Sequence, residues 1–259
     1  IRNDFFKLWL DPSMTYSGAL FKKPEEELSK AQENKYENIL QKLNLKVGDH
    51  ILEVGCGWGG FMEYAARQGV KVTGVTISKE QYEFSKKRLL QYEGIAEVRL
   101  QDYREITGEY SQIVSIEMFE ALGSEYWKKY FKILHSILKP GGKMIIQTIT
   151  INNNDYSSYR RCSDFIQQYI FPGGLLPSPD IFKSTAVRQG FKYVGDFEFG
   201  LDYGLTLKRW EENFTRVLDK VKDLGFDDKF IRTWKFYLKY CQGGFEARKI
   251  SVSQFNFTK

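Results

Sequence analysis

Short apolar runs alternate with amphipathic segments between residues 47 and 151. The amphipathic segments carry apolar residues at helical spacing, as in FMEYAARQG, SKEQYEFSKKRLLQYEG and YWKKYFKILHSILKPGG. The apolar runs are short enough for buried strands: VGDHILEVG, VKVTGVTIS, AEVRLQDY, SQIVSIEMF and KMIIQTITI. Strands that alternate with helices predict a doubly wound parallel sheet. Its ligand crevice is expected at the carboxyl ends of the first and fourth strands.

The two flanks of this core have different patterns. KKPEEELSKAQENKYENILQKLNL predicts a helix that starts near Pro24, within a helical lead over residues 1–46. Residues 152–190 break the alternation and predict an inserted helical cap with a Pro/Gly-rich loop. Residues 191–259 predict the strand FKYVGDFEFG, two helices and an edge strand, ISVSQFNFTK. We expect one α/β domain over 1–259, with a mostly parallel sheet of seven strands.

Composition narrows the function classes. The chain has 42% hydrophobic and 27% charged residues and a net charge of +5, without a Lys/Arg block or zinc-finger spacing, so nucleic acid is not expected as a partner. Cys56, Cys162 and Cys241 lie far apart and predict a reducing, cytoplasmic setting. With His50 and His135 as its two histidines, the chain has almost no material for a metal site or a hydrolase triad.

Membrane and targeting signals are weak in this sequence. No apolar run approaches the length that spans a bilayer, and no signal peptide is visible. Because the chain begins at Ile1 without a methionine, we expect a segment upstream of it.

The stretch ILEVGCGWGG contains the pattern G-x-G-x-x-G at Gly55, Gly57 and Gly60. A dinucleotide enzyme also needs an acid about 20 residues later, to bond the ribose. The second strand ends VTGVTIS and offers no carboxylate there. S-adenosylmethionine has no phosphate, so the glycines would instead let the backbone approach the cofactor closely. Glu53 could then lie near its amino group, and Asp102 could accept from the adenine amine or merely cap a turn.

Matching stretches run nearly end to end and make a resemblance specific. They are NDFFKLWLDPSMTYSGALF, ILEVGCGWGGF, VTGVTISKEQ, LQDYREI, IVSIEMFEALG, LKPGGKMIIQTIT, FIQQYIFPGG, LDYGLTLKRWEENF and YLKYCQGGFEARKISVSQF. The chain resembles the cyclopropane-fatty-acyl-phospholipid synthase and mycolic acid cyclopropane synthase family of methyltransferases, which implies the Rossmann-like class I methyltransferase fold. The resemblance also implies that S-adenosylmethionine is surrounded by Tyr16, Ser17, Glu53, Gly55, Cys56, Gly57, Trp58, Gly59, Thr76, Ile77, Ser78, Gln81, Asp102, Tyr103 and Arg104.

In this family the sulfonium methyl is attacked by an alkene carbon, and a base then removes one proton from the resulting carbocation. By resemblance that base is a bound bicarbonate, held by a Cys, a Glu, a His, an Ile backbone and a Tyr. The matching positions are Gly18, Glu120, Gln147, Ile149 and Tyr203, which we treat as the candidate catalytic residues. Two of them depart from the family pattern: Gly18 stands in place of the cysteine, and Gln147 stands in place of the histidine. A backbone N–H and an amide remain as donors, so bicarbonate could still bind.

The resemblance implies transfer to the double bond of an unsaturated acyl chain in membrane phospholipid, forming a cyclopropane fatty acid. The missing imidazole leaves a second outcome open, in which the proton is lost from another carbon and a branched or methylene chain forms without a ring. Small-molecule N-methylation and a non-catalytic, cofactor-binding scaffold are further alternatives. FIQQYIFPGGLLPS would line the acyl channel, contact the bilayer or form a buried cap helix. We expect a cytoplasmic protein associated peripherally with the inner face of the membrane, and a homodimer is left open.

Overall fold

A seven-stranded sheet forms the centre of the computed structural model, which describes residues 2–259. The strand order is β3-β2-β1-β4-β5-β7-β6, in which β1 to β5 run parallel and β7 is antiparallel to both of its neighbours. The strands are β1 His50–Val54, β2 Lys71–Thr76, β3 Ala96–Leu100, β4 Tyr110–Ile116, β5 Leu138–Ile151, β6 Lys192–Glu198 and β7 Ile250–Thr258. The predicted fold class, with seven strands and a mostly parallel sheet, is confirmed.

Helices lie between the strands along the chain and also precede the first strand. They are α1 Asn3–Lys7, α2 Leu28–Leu43, α3 Gly60–Arg67, α4 Lys79–Arg88, α5 Trp127–Ile137, α6 Asn153–Tyr159, α7 Phe165–Tyr169, α8 Pro179–Val187, α9 Gly200–Arg216, α10 Leu218–Asp223 and α11 Asp228–Glu246. Within residues 2–259, none of these helices has the length and apolar character needed to cross a bilayer.

The final strand corrects one expectation. ISVSQFNFTK was expected at an edge of the sheet, but β7 lies between β5 and β6 and pairs with β5 along its whole length. Residues from both of its faces are buried, including Val252, Gln254 and Phe255, as an inner strand requires. The edge position belongs to β6, most of whose residues are exposed.

Two differences between the helix boundaries and the sequence pattern lie near the site. The lead helix α2 begins at Leu28 rather than near Pro24, because the Glu26 carboxylate accepts from the Lys22 N–H at 2.7 Å and holds the preceding residues in a turn. α9 begins at Gly200, directly after the segment predicted as the strand FKYVGDFEFG, so Tyr203 lies in the first turn of this helix. There it starts a buried stripe at helical spacing with Leu207, Trp210 and Phe214.

Aromatic residues of the two flanks pack together instead of leaving an open cavity. Phe5 is fully buried, and its ring lies 5.1 Å from Trp234 and 6.0 Å from Phe214, between centroids. Trp9 packs edge-on against Trp210 at 5.8 Å. The short lead helix is therefore anchored on α9 and α11, which fixes the chain that follows it over the carboxyl ends of the strands.

Candidate active site

A cavity of about 770 Å³ lies beyond the carboxyl ends of β1, β2 and β4. Its floor is the glycine loop, in which Gly55, Gly57 and Gly59 all have left-handed backbone with φ of 81°, 54° and 77°. The loop is held to the second strand, because the N–H groups of Gly55 and Cys56 both donate to the Val75 carbonyl at 3.0 Å. The cavity therefore occupies the crevice that the strand order predicts.

Most of the residues expected around the cofactor line this cavity. All of them do so except Gly59 and Ser78. Gly59 is the N-cap of α3, and the hydroxyl of Ser78 caps α4 by accepting from the Gln81 N–H at 3.3 Å. The Gln81 side chain does not complete a capping box with Ser78, because its oxygen accepts from the Thr76 hydroxyl at 2.8 Å. The Gln81 amide N–H₂ is thus available at the ribose position that the missing acid would occupy.

Glu53 is the carboxylate closest to the glycine loop. Its side chain is buried, and its Oε2 has no hydrogen-bond partner. Burial raises the pKa of Glu53 well above its ordinary value, and the charges of Lys35 and Arg88 oppose that shift. A buried acceptor without a partner is costly unless a ligand satisfies it. The residue therefore fits the cationic amino end of S-adenosylmethionine.

Asp102 follows β3 and takes the other acidic position. Its carboxylate accepts from the Arg104 N–H at 2.8 Å and pairs with the Arg104 guanidinium at 2.6 Å. Hydrogen bonding to Arg104 lowers the pKa of Asp102, so the carboxylate is charged near neutral pH. The aspartate is both the cap of its turn and part of the cavity wall, and its contact with adenine stays a prediction.

A buried lysine holds the lead segment over the cavity. The Lys35 ammonium donates to the Ser17 hydroxyl at 2.5 Å and to the Gln32 side chain at 2.6 Å. Burial lowers the pKa of Lys35 to about 8, while Glu117, Asp11 and Glu53 pull it upward. On the other side, the Tyr16 hydroxyl meets the Tyr237 hydroxyl at 2.7 Å. Tyr16 and Ser17 are thereby fixed as one wall of the cavity.

The five candidate catalytic positions do not line the cavity themselves, and three of them surround a residue that does. That residue is Glu117, at the end of β4. Its Oε1 accepts from the Gly18 N–H at 2.9 Å and from the Gln147 amide at 2.7 Å, and its Oε2 accepts from the Tyr203 hydroxyl at 2.6 Å. A carboxylate thus accepts from the residues at three of the positions that the resemblance assigns to bicarbonate binding.

The other two candidates, Glu120 and Ile149, form a separate pair beside it. The Ile149 N–H donates to Glu120 Oε1 at 2.5 Å, and Glu120 Oε2 is buried without a partner. Burial, followed by the charge of Glu117, raises the pKa of Glu120 to about 8. Glu120 is therefore mostly protonated near neutral pH. Burial also raises the pKa of Glu117, but Lys35 and the three hydrogen bonds that Glu117 accepts oppose that rise and favour its charged form.

A chain of amides sets the orientation of Gln147. The Asn38 amide donates to Gln254 at 2.6 Å, and the Gln254 amide donates to Gln147 Oε1 at 3.0 Å. Because its oxygen is occupied, Gln147 presents its N–H₂ to Glu117. Asn38 of α2 and Gln254 of β7 therefore act on the site through Gln147.

Sequence reasoning missed Glu117, Lys35 and Gln254. Glu117 had one detectable signal, a second acid three residues before Glu120 at the end of the fourth strand. Lys35 had none, because it resembles the exposed lysines of the same helix. Among the described residues, no three His, Cys, Asp or Glu side chains lie together as a potential metal site.

Three features together define a class I methyltransferase that uses S-adenosylmethionine. They are the doubly wound sheet, the glycine loop without the acid that a dinucleotide site needs, and the buried carboxylate of Glu53 beside that loop. Residues 1–255 match the family described as Mycolic acid cyclopropane synthetase. The chain belongs to this family, as the sequence resemblance predicted.

Individual relatives support the same assignment. The chain is 36% identical to the tuberculostearic acid methyltransferase UfaA1 of Mycobacterium tuberculosis and 37% identical to the cyclopropane-fatty-acyl-phospholipid synthase of Escherichia coli. These alignments cover 100% and 99% of this chain, which spans 63% and 65% of the relatives' lengths. A solved mycolic acid cyclopropane synthase, CmaA1 complexed with SAH and CTAB, has a TM-score of 0.93 and 31% identity, covering 99% of this chain and 94% of its own.

Proposed function

We propose that this protein transfers the methyl group of S-adenosylmethionine to the double bond of an unsaturated acyl chain in membrane phospholipid, and that loss of one proton then closes a cyclopropane ring. The observation that carries the proposal is the pairing of the cofactor cavity with one carboxylate at its edge, that of Glu117, which accepts three hydrogen bonds. Attack on the sulfonium methyl needs no base, whereas the carbocation that follows needs a proton acceptor and walls that exclude water.

The residues around the reacting carbon suit a cation. When bound, S-adenosylmethionine supplies an electrophilic methyl group with a neutral leaving group. Glu53 pairs with its amino end, and Glu117 places a negative charge on the side where the acyl carbon becomes positive. Met118, Leu122 and Ile116 contribute apolar wall nearby, which keeps water from trapping the cation.

A second outcome, a methylene-branched chain without a ring, is favoured by a specific difference in the site. No imidazole lies at the candidate catalytic positions, where Gln147 stands in place of a histidine. One of the relatives above is a tuberculostearic acid methyltransferase rather than a cyclopropane synthase. If the cationic centre moves along the chain before the proton leaves, a double bond forms to the new carbon instead of a third ring bond.

Access from a lipid surface is supported by an aromatic patch made of Phe165, Tyr169, Phe171, Phe236 and Tyr240. Four of these side chains are between 43% and 67% exposed, and Phe165 packs edge-on against Phe236 at 4.6 Å. The patch continues inward, because Phe171 packs against Tyr237 at 6.1 Å, and Tyr237 bonds Tyr16 in the cavity wall. An exposed aromatic patch that leads to an active site suits peripheral binding to a bilayer.

The test uses methyl-labelled S-adenosylmethionine with vesicles of mono-unsaturated anionic phospholipid, followed by mass spectrometry of the acyl chains. The proposal expects a gain of one CH₂ unit that resists mild hydrogenation, as a ring does. The same gain as a reducible double bond identifies the methylene route. Label that enters an amine but no lipid would refute acyl transfer.

The membrane surface is tested by co-sedimentation with the same vesicles. Phe236→Ser combined with Tyr169→Ser should weaken vesicle binding and lower turnover on vesicles. Leu90→Ser removes an equally exposed apolar side chain outside the patch, at 70% exposure, and serves as the control. Equal vesicle binding by both variants would contradict the assigned surface.

A further inference from the structure

We infer that Glu117 is the general base of this enzyme and that its carboxylate takes over the place of a bound bicarbonate. The inference rests on the proposed function for its chemistry. It rests on the geometry of the site for the identity of the base.

Lone-pair occupancy leaves Glu117 one acceptor position for a proton. An ionised carboxylate has about four lone-pair sites on its two oxygens. Gly18 and Gln147 occupy two on Oε1, and Tyr203 occupies one on Oε2. The side chain lines the cavity, so the remaining lone pair on Oε2 is the one that substrate can reach.

The same bonds leave no donor set for a separate anion. The Gly18 N–H, the Gln147 amide and the Tyr203 hydroxyl all point at Glu117. The Tyr203 ring also fills the space where a side chain at position 18 would lie, since an added Cβ on Gly18 would be 2.8 Å from that ring. A second anion would further meet the charge of Glu117 at close range.

Glu117 is held in this place at a conformational cost. Its φ is 51°, in the left-handed region, which costs a residue with a Cβ about 1–2 kcal/mol. The backbone is fixed there because the Glu117 N–H donates to the Gln147 carbonyl at 2.8 Å. A glycine would adopt the same backbone without strain. The carboxylate of Glu117 therefore lies at a position where glycine would be the more stable residue.

The surrounding groups favour the charged form of this carboxylate, although burial makes it more basic than an exposed glutamate. Burial raises the pKa of Glu117, and Lys35 is the strongest opposing influence. Lys35 lies beneath the site, bonded to Ser17, and supplies the compensating positive charge. Because Glu120 is protonated near neutral pH, it does not add a second negative charge.

The proton transfer balances without another reactant. Methyl transfer forms one C–C bond, breaks the S–CH₃ bond and leaves a carbocation on the acyl chain. Glu117 Oε2 then accepts a proton from the added methyl carbon. The electron pair of that C–H bond forms the ring bond or, after the cation has moved, the new double bond. The proton afterwards passes to water and restores the carboxylate.

The first test measures turnover and cofactor binding in Glu117→Gln and Glu117→Gly. Both should lower kcat by about 10²–10⁴-fold, the range of a general base, while S-adenosylmethionine affinity is unchanged. Added bicarbonate or formate should restore activity to Glu117→Gly and not to Glu117→Gln, because only the glycine variant vacates the three donors. Wild-type turnover should not respond to bicarbonate. Turnover retained by Glu117→Gln would overturn the inference.

The second test does not depend on the acyl substrate. Titration of ¹³C-bicarbonate, followed by NMR in the presence of S-adenosylhomocysteine, should show binding to Glu117→Gly and none to the wild type. Asn44→Gly is the matched control, because Asn44 has the same φ of 51° at the end of α2 and lies outside the cavity. It should keep wild-type turnover. Bicarbonate binding by the wild type would refute the inference even if the enzyme proves to act on another substrate.

Discussion

Replacement of Gly18 by alanine should damage the site through the Tyr203 ring. The added Cβ would lie 2.8, 2.9 and 3.2 Å from three ring carbons, so the ring would have to move by about 0.6 Å to reach the 3.4 Å where ordinary contact begins. It has little freedom to do so, because it is stacked on Phe245 with centroids 4.4 Å apart and is almost completely buried.

Two magnitudes follow from this displacement. Overpacking of a buried site costs about 1–3 kcal/mol of unfolding free energy, which lowers Tm by roughly 2–10 °C in a chain of this size. The 2.6 Å bond from Tyr203 to Glu117 is also lengthened. Loss of a hydrogen bond to a charged group costs about 1.5–3 kcal/mol, so kcat should fall about 10- to 100-fold. Gly18→Cys, which introduces the residue that the resemblance expects, should lower Tm and kcat in the same way.

Calorimetric melting and single-turnover kinetics measure the two effects separately. Gly243→Ala is the control, because an added Cβ there meets nothing within 4 Å, and alanine favours the helix interior. It should leave kcat unchanged and raise the unfolding free energy by up to about 1 kcal/mol. If Gly18→Ala had the stability and turnover of the wild type, the packing of Tyr203 against Gly18 would not control the site.

Three further changes test the groups behind the site. Glu53→Gln should weaken S-adenosylmethionine binding about 10- to 100-fold, as measured by calorimetry. The affinity of the wild type should fall as the pH drops through the raised pKa of Glu53. A wild-type affinity that does not change with pH would contradict this role. Gln254→Leu should lower kcat about tenfold with unchanged KM, since Gln147 loses the donor that orients it. An unchanged kcat would show that the chain of amides does not support turnover. Between pH 8 and 10.5 native Lys35 is neutral while the unfolded side chain is protonated, so unfolding free energy rises with pH by about 3 kcal/mol. Denaturant titration should show no such rise in Lys35→Met.

The grouping of the expected cofactor residues around one cavity was predictable from sequence because its signals are local. The glycines of the first loop follow a strand directly, and Thr76 to Gln81 follow the next one. In a parallel sheet those loops must meet at the same edge, so linear order determines spatial proximity. The helical pattern likewise located the starts of α3, α4 and α5, but it ran past the end of α4 and past the end of α5, where Leu138 already begins β5.

The catalytic side was predicted less well because its contacts join distant parts of the chain. Gly18 and Glu117 are 99 residues apart, and Tyr203 and Glu117 are 86 apart. No spacing rule shows that three donors converge on Glu117, or that its backbone is left-handed. The resemblance grouped Gly18, Gln147 and Tyr203, which do lie together, but it did not point to the Glu117 side chain that they bond, and their catalytic role stays a prediction.

The central position of β7 has a consequence for the order of events during synthesis. The strand inserts between β5 and β6, and through Gln254 it completes the support of the site. A nascent chain that has emerged only as far as α11 therefore has the cofactor loop and the wall that α11 supports, but an open gap beside β5. Such an intermediate could bind the methyl donor before it could catalyse, so activity would begin only after translation of residues 250–258.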